Sequence, residues 1–305
     1  MIYTLTLNPA IDMNIVSDNL LPNVTTRTRE TVLTANGKGI NVSRVLKHFG
    51  RETAVLGFFG GFTGEYIVNE CDRWGLNPKP IMIDGETRIN VFLGCGEGEY
   101  KMVNEGPSVS EADMQEMLAL LENVDDMEVL TINGSAAKNI SVGFYDSIIE
   151  IAQKNGTEVV LDISVPYLKE LLRYRPLLVK PNDEEIEKIF KMKVFDDESA
   201  KAAMRVLWKM GAQNILLTLG KKGSYFFDGK IFYKCGTQEV KLRSSLCAGD
   251  GFLAAFLASW LGNEKNVSDA LKIASATGAN IAESDGIGTL EKVEIYKNNI
   301  SVTEI

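Results

Sequence analysis

The sequence has a single histidine, His48, and four cysteines that lie far apart in the chain. One histidine leaves no room for Ser-His-Asp, Cys-His or multi-histidine metal chemistry unless His48 is itself the base. It stands near the end of a predicted helix that Gly50 terminates, where a polar or cationic side chain is favourable in any case. The cysteines form no C-x-x-C pair, which is typical of a reducing compartment and argues against disulfides and zinc.

Positive charge and long apolar runs are also scarce. The chain has 41 acidic and 32 basic residues and a formal net charge of −9, which argues against binding to nucleic acids or to membrane surfaces. No run approaches the roughly 18 apolar residues of a membrane span, and no secretory signal precedes Pro9. We therefore expect a cytoplasmic protein, in which any anionic ligand needs a local basic pocket.

Three common phosphate-binding and nucleotide-binding motifs are missing. The chain contains neither a G-x-x-x-x-G-K-[ST] loop nor the His-Arg-Asp triplet of protein kinases. A Rossmann dehydrogenase is disfavoured because Asn8-Pro9, rather than G-x-G-x-x-G, follows the first predicted strand.

Hydrophobic periodicity predicts an α/β protein with a parallel sheet covered on both faces. Short apolar segments alternate with helical ones such as Ile40–Phe49, and no low-complexity linker divides the chain, so we expect one domain, residues 1–305. The predicted strands of this sheet are Ile2–Leu7, Thr53–Phe58, Val129–Ile132, Glu158–Asp162, Leu177–Lys180 and Asn214–Leu219.

Other β segments are more polar and do not fit the parallel pattern. They are Ile11–Val16, Thr25–Thr34 and a hairpin, Arg88–Leu93 with Glu99–Val103, that turns at Gly94–Gly98. We expect them to form a small sheet that stands off the main sheet, with one face in water or against a partner.

Polar and glycine residues follow four successive apolar strands, where parallel sheets bind ligands. Such residues also make ordinary turns, but the repetition favours a rim built for a polar ligand. The segments are Asn133-Gly134-Ser135, Asp162-Ile163-Ser164, Lys180-Pro181-Asn182 and Gly220-Lys221-Lys222-Gly223.

The sharpest local signal is Cys247-Ala248-Gly249-Asp250-Gly251 before an apolar helix. Small residues there can turn backbone N–H groups toward an anion at the helix N-terminus. Asp250 can then accept a proton from a hydroxyl that attacks this anion, or it can simply complement the helix dipole. Both interpretations remain open at this level. Gly37-Lys38-Gly39 has a similar form, with Lys38 as a point charge for phosphate or as a solvated lysine.

The ordered set of motifs resembles the ribokinase-like (PfkB) carbohydrate kinases over nearly the whole chain. The matching segments are Thr6–Asp12, Gly37–Val42 with Arg44, Gly60-Gly61 with Gly64, Glu86–Asn90, Asn104–Pro107, Lys180-Pro181-Asn182 with Glu185, Thr218-Leu219-Gly220 with Gly223, and Ala248-Gly249-Asp250.

The resemblance implies a ribokinase-like three-layer α/β/α fold with a small β-sheet lid, about residues 12–35 and 85–105, that commonly pairs with a second subunit's lid in a homodimer. It also implies an ATP- and Mg²⁺-dependent sugar kinase. Within the family, the motifs are most similar to those of 1-phosphofructokinases, which convert fructose 1-phosphate to fructose 1,6-bisphosphate. Tagatose-6-phosphate kinases are the close alternative, other family members take unphosphorylated sugars or nucleosides, and a non-catalytic sugar-phosphate sensor is a further one.

Roles for individual residues follow from the same resemblance. Asp250 would be the general base, and the amides of Ala248 and Gly249 would form the anion hole. Glu185 would act on Mg²⁺, through water because Mg²⁺ retains its hydration. The acceptor would be held by Asp12, Gly37, Lys38, Asn41, Asn90 and Ser135, with Arg88 and Arg27 on its phosphate, and ATP by Lys180, Asn182, Thr218, Gly220 and Gly223.

Three segments depart from the family pattern. Asn36 replaces the first glycine of G-G-K-G, and Cys247 and Gly251 replace the outer residues of G-A-G-D-S. The segment Gly134–Asn139 replaces a G-S-L-P-P-G loop. Because Asp250 is retained, we expect an active enzyme, and the changes beside the anion hole suggest a low turnover or an unusual acceptor.

Overall fold

The computed structural model describes residues 1–96, 98–262 and 266–305, and its strands form two separate sheets. In chain order the strands are β1 Ile2–Thr6, β2 Ala10–Ser17, β3 Thr28–Asn36, β4 Thr53–Gly60, β5 Pro78–Ile83, β6 Ile89–Cys95, β7 Gly98–Met102, β8 Val129–Gly134, β9 Glu158–Ile163, β10 Leu178–Val179, β11 Ile215–Thr218, β12 Ser224–Phe227, β13 Phe232–Cys235 and β14 Val302–Glu304.

The helices follow the β-α alternation that the sequence predicts. They are α1 Lys38–His48, α2 Gly61–Arg73, α3 Glu111–Glu122, α4 Val142–Lys154, α5 Leu168–Leu171, α6 Asp183–Glu185, α7 Asp197–Lys209, α8 Ala248–Trp260, α9 Val267–Ala282 and α10 Val293–Lys297. Short 3₁₀ turns occupy Leu172–Tyr174 and Gly220–Lys222, and α6 continues as a π-helical turn, Ile186–Phe190.

The main sheet has ten strands in the order β14-β13-β12-β11-β10-β9-β8-β1-β4-β5. The neighbouring strands from β11 through β10, β9, β8, β1 and β4 to β5 all pair in parallel. The three pairs β11-β12, β12-β13 and β13-β14 are antiparallel. The predicted α/β sheet is therefore confirmed. Strand β5 was missed because its Pro78-Lys79-Pro80 start is typical of an edge strand rather than a buried one.

Helices cover both faces of this sheet. Apolar residues of α3, α4 and α7 pack on one face, and those of α1, α8 and α9 pack on the other. Helix α8 lies deep in the second layer, where nearly all of its residues are buried. A helix that is apolar all round belongs in such a position, and its packing on both sides holds its N-terminus in place.

The small sheet has the order β3-β2-β6-β7. Ile11 of β2 and Ala35 of β3 pair with each other and pack with Phe59 of β4 and Ile67 of α2. These contacts hold the small sheet against the rest of the protein. The predicted hairpin forms between β6 and β7, although Glu97 of its turn lies outside the described residues.

The strand register divides the small sheet into two faces. Met13 pairs with Leu33 and Val91, so these apolar side chains share one face together with Ile15, which pairs with Leu93. The opposite face carries Asp12 and Asn90, and Val32 belongs to this polar face because it pairs with Asn14. Leu33 remains 46% exposed, so part of the apolar face lies uncovered within one chain.

No helix in the described ranges 1–96, 98–262 and 266–305 has the length and hydrophobicity of a membrane span. His48 lies exposed in the last turn of α1. This is a position near a helix C-terminus, where a polar side chain is expected from the sequence.

Candidate active site

Asp250 lies in the first turn of α8 and is only 6% exposed. Its Oδ2 accepts a hydrogen bond of 2.9 Å from Asn41 Nδ2 of α1. Burial raises the pKa of Asp250 to about 6, and Asp162 adds to the increase, while Lys38, Asn41 and Lys180 oppose it. A carboxylate with a pKa of about 6 is ionised at neutral pH and still basic enough to accept a proton.

The backbone amides of Ala248 and Gly249 begin α8. In the described structure the side chain of Cys247, the residue before the helix, accepts no hydrogen bond from the first turn. The backbone amides of this turn therefore remain available to a ligand. A β-carbon added to Gly249 would lie 3.8 Å from Lys180 Nζ. The helix N-terminus and a lysine ammonium therefore meet at one point, which is favourable for an anion.

Two lysines converge on the buried carboxylate of Asp162, at the end of β9. Lys180 Nζ lies 3.0 Å from Asp162 Oδ1, and Lys38 Nζ lies 3.5 Å from the same atom. Burial opposes the charge on Lys38, but Asp162, Asp250 and Glu185 outweigh it and raise the pKa of Lys38. Burial also disfavours the charge of Asp162, yet the two lysines hold its pKa below its usual value. Lys38 and Asp162 therefore both stay charged at neutral pH.

A third buried carboxylate, Asp12, lies on the polar face of the small sheet. Its Oδ1 accepts a hydrogen bond of 2.9 Å from Asn90 Nδ2, and its Oδ2 accepts one from Asn36 Nδ2. Burial raises the pKa of Asp12, which the two amides and Arg88 partly offset. The unused lone pairs of Asp12 suit the hydroxyl groups of a sugar.

Gly37 and Lys38 join the small sheet to α1. A β-carbon on Gly37 would lie 2.6 Å from Thr6 Cγ2, so only glycine fits this approach of the chain to β1. The stem of Lys38 lies against Gly134, and Ser135 follows as an exposed residue. The structure thus brings Asp12, Gly37, Lys38 and Asn41 together, with Ser135 at their edge.

Arg88 is more occupied than the sequence indicates. Its guanidinium donates to the carbonyl oxygens of Asn8 at 2.9 Å, Pro9 at 3.4 Å and Asn104 at 3.0 Å. Because a guanidinium has five N–H groups, two remain for a phosphate. Arg27 lies exposed in the loop between β2 and β3.

A cleft of about 810 Å³ lies beside the N-terminus of α8. This volume lies within the range of small-molecule sites. Asn182, Thr218, Gly220 and Gly223, all predicted to bind a nucleotide, line it together with Ala248 and Gly249. Lys221, which belongs to the polar rim predicted from the sequence, also lines it. The remaining lining residues carry no motif and were not predicted: Asp183, Glu184, Thr237, Gln238, Glu239, Val240, Leu242, Ser245, Phe252, Ser275, Gly278, Ala279 and Ala282.

Glu185 and Asn182 cap each other at the start of α6. Glu185 N donates to Asn182 Oδ1 at 2.7 Å, and Asn182 N donates to Glu185 Oε2 at 3.0 Å. Ser164 Oγ donates to the other carboxylate oxygen. Glu185 is therefore fixed and buried, and its charge acts on Lys38.

The described residues fit Mg²⁺ as an ion held largely by water and phosphate. Within them no cluster of three or more His, Cys, Asp and Glu residues forms a metal cage. Mg²⁺ in phosphoryl-transfer sites needs one or two carboxylates and keeps several waters. Glu185 supplies one, and Asp162 Oδ2 is a buried oxygen without a partner in the described structure.

Sequence reasoning missed two residues of this site, Asp162 and Asn36. Asp162 was visible as a polar end of a buried strand, but pairing with two lysines from distant segments has no local signature. Asn36 was visible as a departure from the glycine pattern. Of the other departures, Cys247 adopts a left-handed φ of 65°, and Gly251 gives Ile281 of α9 room to pack against α8.

The model of the pfkB family of carbohydrate kinases matches residues 4–293. The chain belongs to this family. It is 44% identical over 305 residues to the D-tagatose-1-phosphate kinase of Klebsiella oxytoca, and 30% identical over 305 residues to the 1-phosphofructokinase of Bacillus subtilis; each match covers 100% of both chains.

The fold agrees with that of solved structures. Phosphofructokinase-2 from Escherichia coli in complex with fructose-6-phosphate superposes with a TM-score of 0.88 at 22% identity, covering 98% of each chain. The family match makes the chain a carbohydrate kinase, which is a phosphotransferase, and the superposition shows a ribokinase-like fold; kinases of this family use ATP.

Proposed function

We propose that this kinase transfers the γ-phosphoryl group of ATP to a ketohexose 1-phosphate, with D-tagatose 1-phosphate as the preferred acceptor. The observation that carries this choice is the gap between 44% identity to a D-tagatose-1-phosphate kinase and 30% identity to a 1-phosphofructokinase, both over full length. Tagatose-6-phosphate kinases were the close alternative expected from the sequence. The proposed acceptor has the same sugar, tagatose, but carries its phosphate on C1 instead of C6.

The second candidate acceptor is fructose 1-phosphate, the main expectation from the sequence. The two sugars differ only in the configuration at C4, so both offer the same phosphate end and the same free hydroxyl on C6. The motifs that both kinds of kinase share cannot separate them. The choice depends on side chains that face the hydroxyl groups near C4.

In the proposed reaction Asp250 takes the proton from the acceptor hydroxyl. The hydroxyl oxygen forms a bond to the γ-phosphorus, and the bond from that phosphorus to the β,γ-bridging oxygen breaks, which leaves ADP. The amides of Ala248 and Gly249 stabilise the negative charge on the transferring group. Lys180 lies beside Gly249 and stabilises the charge on the phosphates.

Other residues position the two substrates. Asp12, with Asn90, Gly37, Lys38, Asn41 and Ser135 nearby, binds the sugar hydroxyls, and Arg88 uses its two remaining N–H groups on the acceptor phosphate. ATP occupies the 810 Å³ cleft, where Asn182, Thr218, Gly220 and Gly223 contact it. When bound, Mg²⁺ neutralises phosphate charge, and Glu185 holds it through water.

The small sheet is proposed to act as a lid that covers the sugar and excludes water, which limits ATP hydrolysis. Its uncovered apolar face, with Leu33 46% exposed and Met102 50% exposed, supports a homodimer through the lids. Arg27 sits in the exposed loop of the same lid. A partner's lid would place this arginine near the acceptor pocket.

A coupled ADP-release assay tests the proposal with D-tagatose 1-phosphate, D-fructose 1-phosphate, D-tagatose 6-phosphate, D-fructose 6-phosphate and the free sugars. We expect the highest kcat/KM for D-tagatose 1-phosphate. A higher kcat/KM for D-fructose 1-phosphate would establish the second candidate. Absence of ADP release with every sugar, from protein that binds ATP, would favour a sensor.

A further inference from the structure

Asn36 occupies the junction between the small sheet and α1. It is the last residue of β3, and its side chain has partners on both sides. Asn36 Nδ2 donates to Asp12 Oδ2 of β2. Asn36 Oδ1 accepts from Gly37 N at 2.6 Å and from Asn41 Nδ2 of α1 at 2.8 Å. A glycine here, as in the family pattern quoted above, has neither the donor nor the acceptor.

These bonds complete a path from the small sheet to Asp250. At one end Asn90 Nδ2 of β6 donates to Asp12 Oδ1 at 2.9 Å. At the other end Asn41 Nδ2 donates to Asp250 Oδ2 at 2.9 Å. Asn36 is the link between the carboxylate on the sugar side and the amide that holds the base. Among the described residues, no other side chain forms hydrogen bonds with both Asp12 and Asn41.

Asn41 has more acceptors than hydrogens. Its amide nitrogen lies 2.8 Å from Asn36 Oδ1, 2.9 Å from Asp250 Oδ2 and 3.2 Å from Cys247 Sγ. Two N–H groups must serve all three atoms, so the orientation of the Asn41 amide depends on how firmly Asn36 holds its share. A change at Asn36 therefore alters how Asn41 presents itself to Asp250.

We propose that Asn36 is a positioning residue that couples the sugar-binding carboxylate of Asp12 to the base, Asp250, through Asn41. It orients Asp12 for the acceptor and restrains Asn41, so that the base is aligned when the small sheet is seated on the sugar. This inference rests on the proposed roles of Asp12 and Asp250. It adds a residue that the family's glycine cannot supply.

Three substitutions separate the two halves of the link. Asn36→Ala and Asn36→Gly remove both halves. Asn36→Asp keeps the acceptor oxygen for Gly37 N and Asn41 but replaces the donor to Asp12 with a second carboxylate oxygen. Asn298→Ala is the matched control. This amide donates to the Glu294 carbonyl on α10, so its loss should leave all kinetic constants unchanged.

Steady-state kinetics with D-tagatose 1-phosphate supply the readout. For Asn36→Ala and Asn36→Gly we expect kcat to fall and the sugar KM to rise, each about tenfold, with the ATP KM within about twofold, since a hydrogen bond to a charged group is worth about one to two powers of ten. For Asn36→Asp we expect the larger effect on the sugar KM and the smaller one on kcat. A purely structural role would not divide KM from kcat in this way.

Calorimetric titration of D-tagatose 1-phosphate into each variant without ATP checks the KM effect directly. If Asn36→Ala unfolds, Asn36→Asp and Asn36→Gly still decide the matter. This inference alone would be overturned if the Asn36 variants kept the wild-type kcat and sugar KM while the wild type was active and Asp250→Asn was inactive. A wild type inactive on every ketose phosphate would remove the proposed function and this inference together.

Discussion

Asn41 Nδ2 donates a hydrogen bond of 2.9 Å to Asp250 Oδ2, and this bond joins α1 to the N-terminus of α8. Burial raises the pKa of Asp250 to about 6, whereas the bond from Asn41 favours its charged form and lowers the pKa. Burial and the Asn41 hydrogen bond thus shift the pKa of Asp250 in opposite directions and together set the pH at which the base becomes ionised.

The pH profile of kcat is the first prediction. Because a general base must be deprotonated, kcat should fall as the pH falls through about 6. In Asn41→Ala the carboxylate loses a donor to its charged form, so its pKa rises and the acidic limb moves to higher pH. Profiles measured at saturating ATP and sugar phosphate check this. An acidic limb that stays in place, or moves to lower pH, in Asn41→Ala would contradict it.

Arg88→Ala should weaken binding of the sugar phosphate far more than binding of ATP. A charge-assisted hydrogen bond to phosphate contributes about 1.5–3 kcal/mol, which corresponds to roughly a ten- to hundredfold rise in the sugar KM. The ATP KM should remain within about twofold. Kinetics with varied sugar phosphate and varied ATP provide the measurement.

Arg88 also holds three backbone carbonyl groups, so its removal loosens the segment around Asn8 and Asn104. Thermal unfolding of the variant separates this structural effect from lost phosphate binding. Arg29→Ala, which removes an exposed arginine paired with Asp18 on the small sheet, is the matched control and should leave the sugar KM unchanged. Equal kcat/KM for D-tagatose and D-tagatose 1-phosphate in the wild type would refute the role of Arg88.

The small sheet should mediate a homodimer. Its apolar face leaves Leu33 46% and Tyr100 50% exposed, and a small isolated sheet is marginally stable unless something covers it. Light scattering at micromolar protein should give twice the mass of the chain. Leu33→Glu should shift the protein to monomer, because a buried charge in that interface is unfavourable. Ile295→Glu, on α10, should not.

A fully active monomer under all conditions, with and without ligands, would exclude the dimeric lid. In that case Arg27 could not act on a neighbouring acceptor pocket. An Arg27→Ala variant with an unchanged sugar KM would point the same way.

The sequence predicted the elements whose pattern is local. The alternation of β4, β8, β9 and β11 with helices was clear from apolar runs, and each of these strands lies within two residues of its predicted bounds. The antiparallel strands β12, β13 and β14 were not predicted. They are short, they lie at one edge of the sheet, and they do not alternate with helices. Their pairing depends on distant segments.

The same distinction applies to the site. Asp250, Gly249 and Lys180 could be named from short motifs, because each motif is contiguous in the sequence. The ion pairs of Asp162 with Lys180 and Lys38 join residues from three separate segments. Such pairs have no periodic or local signature. The partial use of Arg88 by carbonyl groups is likewise visible only in three dimensions.

Asp250→Asn tests the central claim most directly. The substitution keeps the shape of the side chain and removes the proton acceptor, so kcat with D-tagatose 1-phosphate and ATP should fall about 10²–10⁴-fold. ATP affinity, measured by calorimetry on the same sample, should stay within about threefold, because the amides of Ala248 and Gly249 and the cleft remain. A kcat within a few-fold of the wild type would show that Asp250 is structural and that the proposed mechanism is wrong.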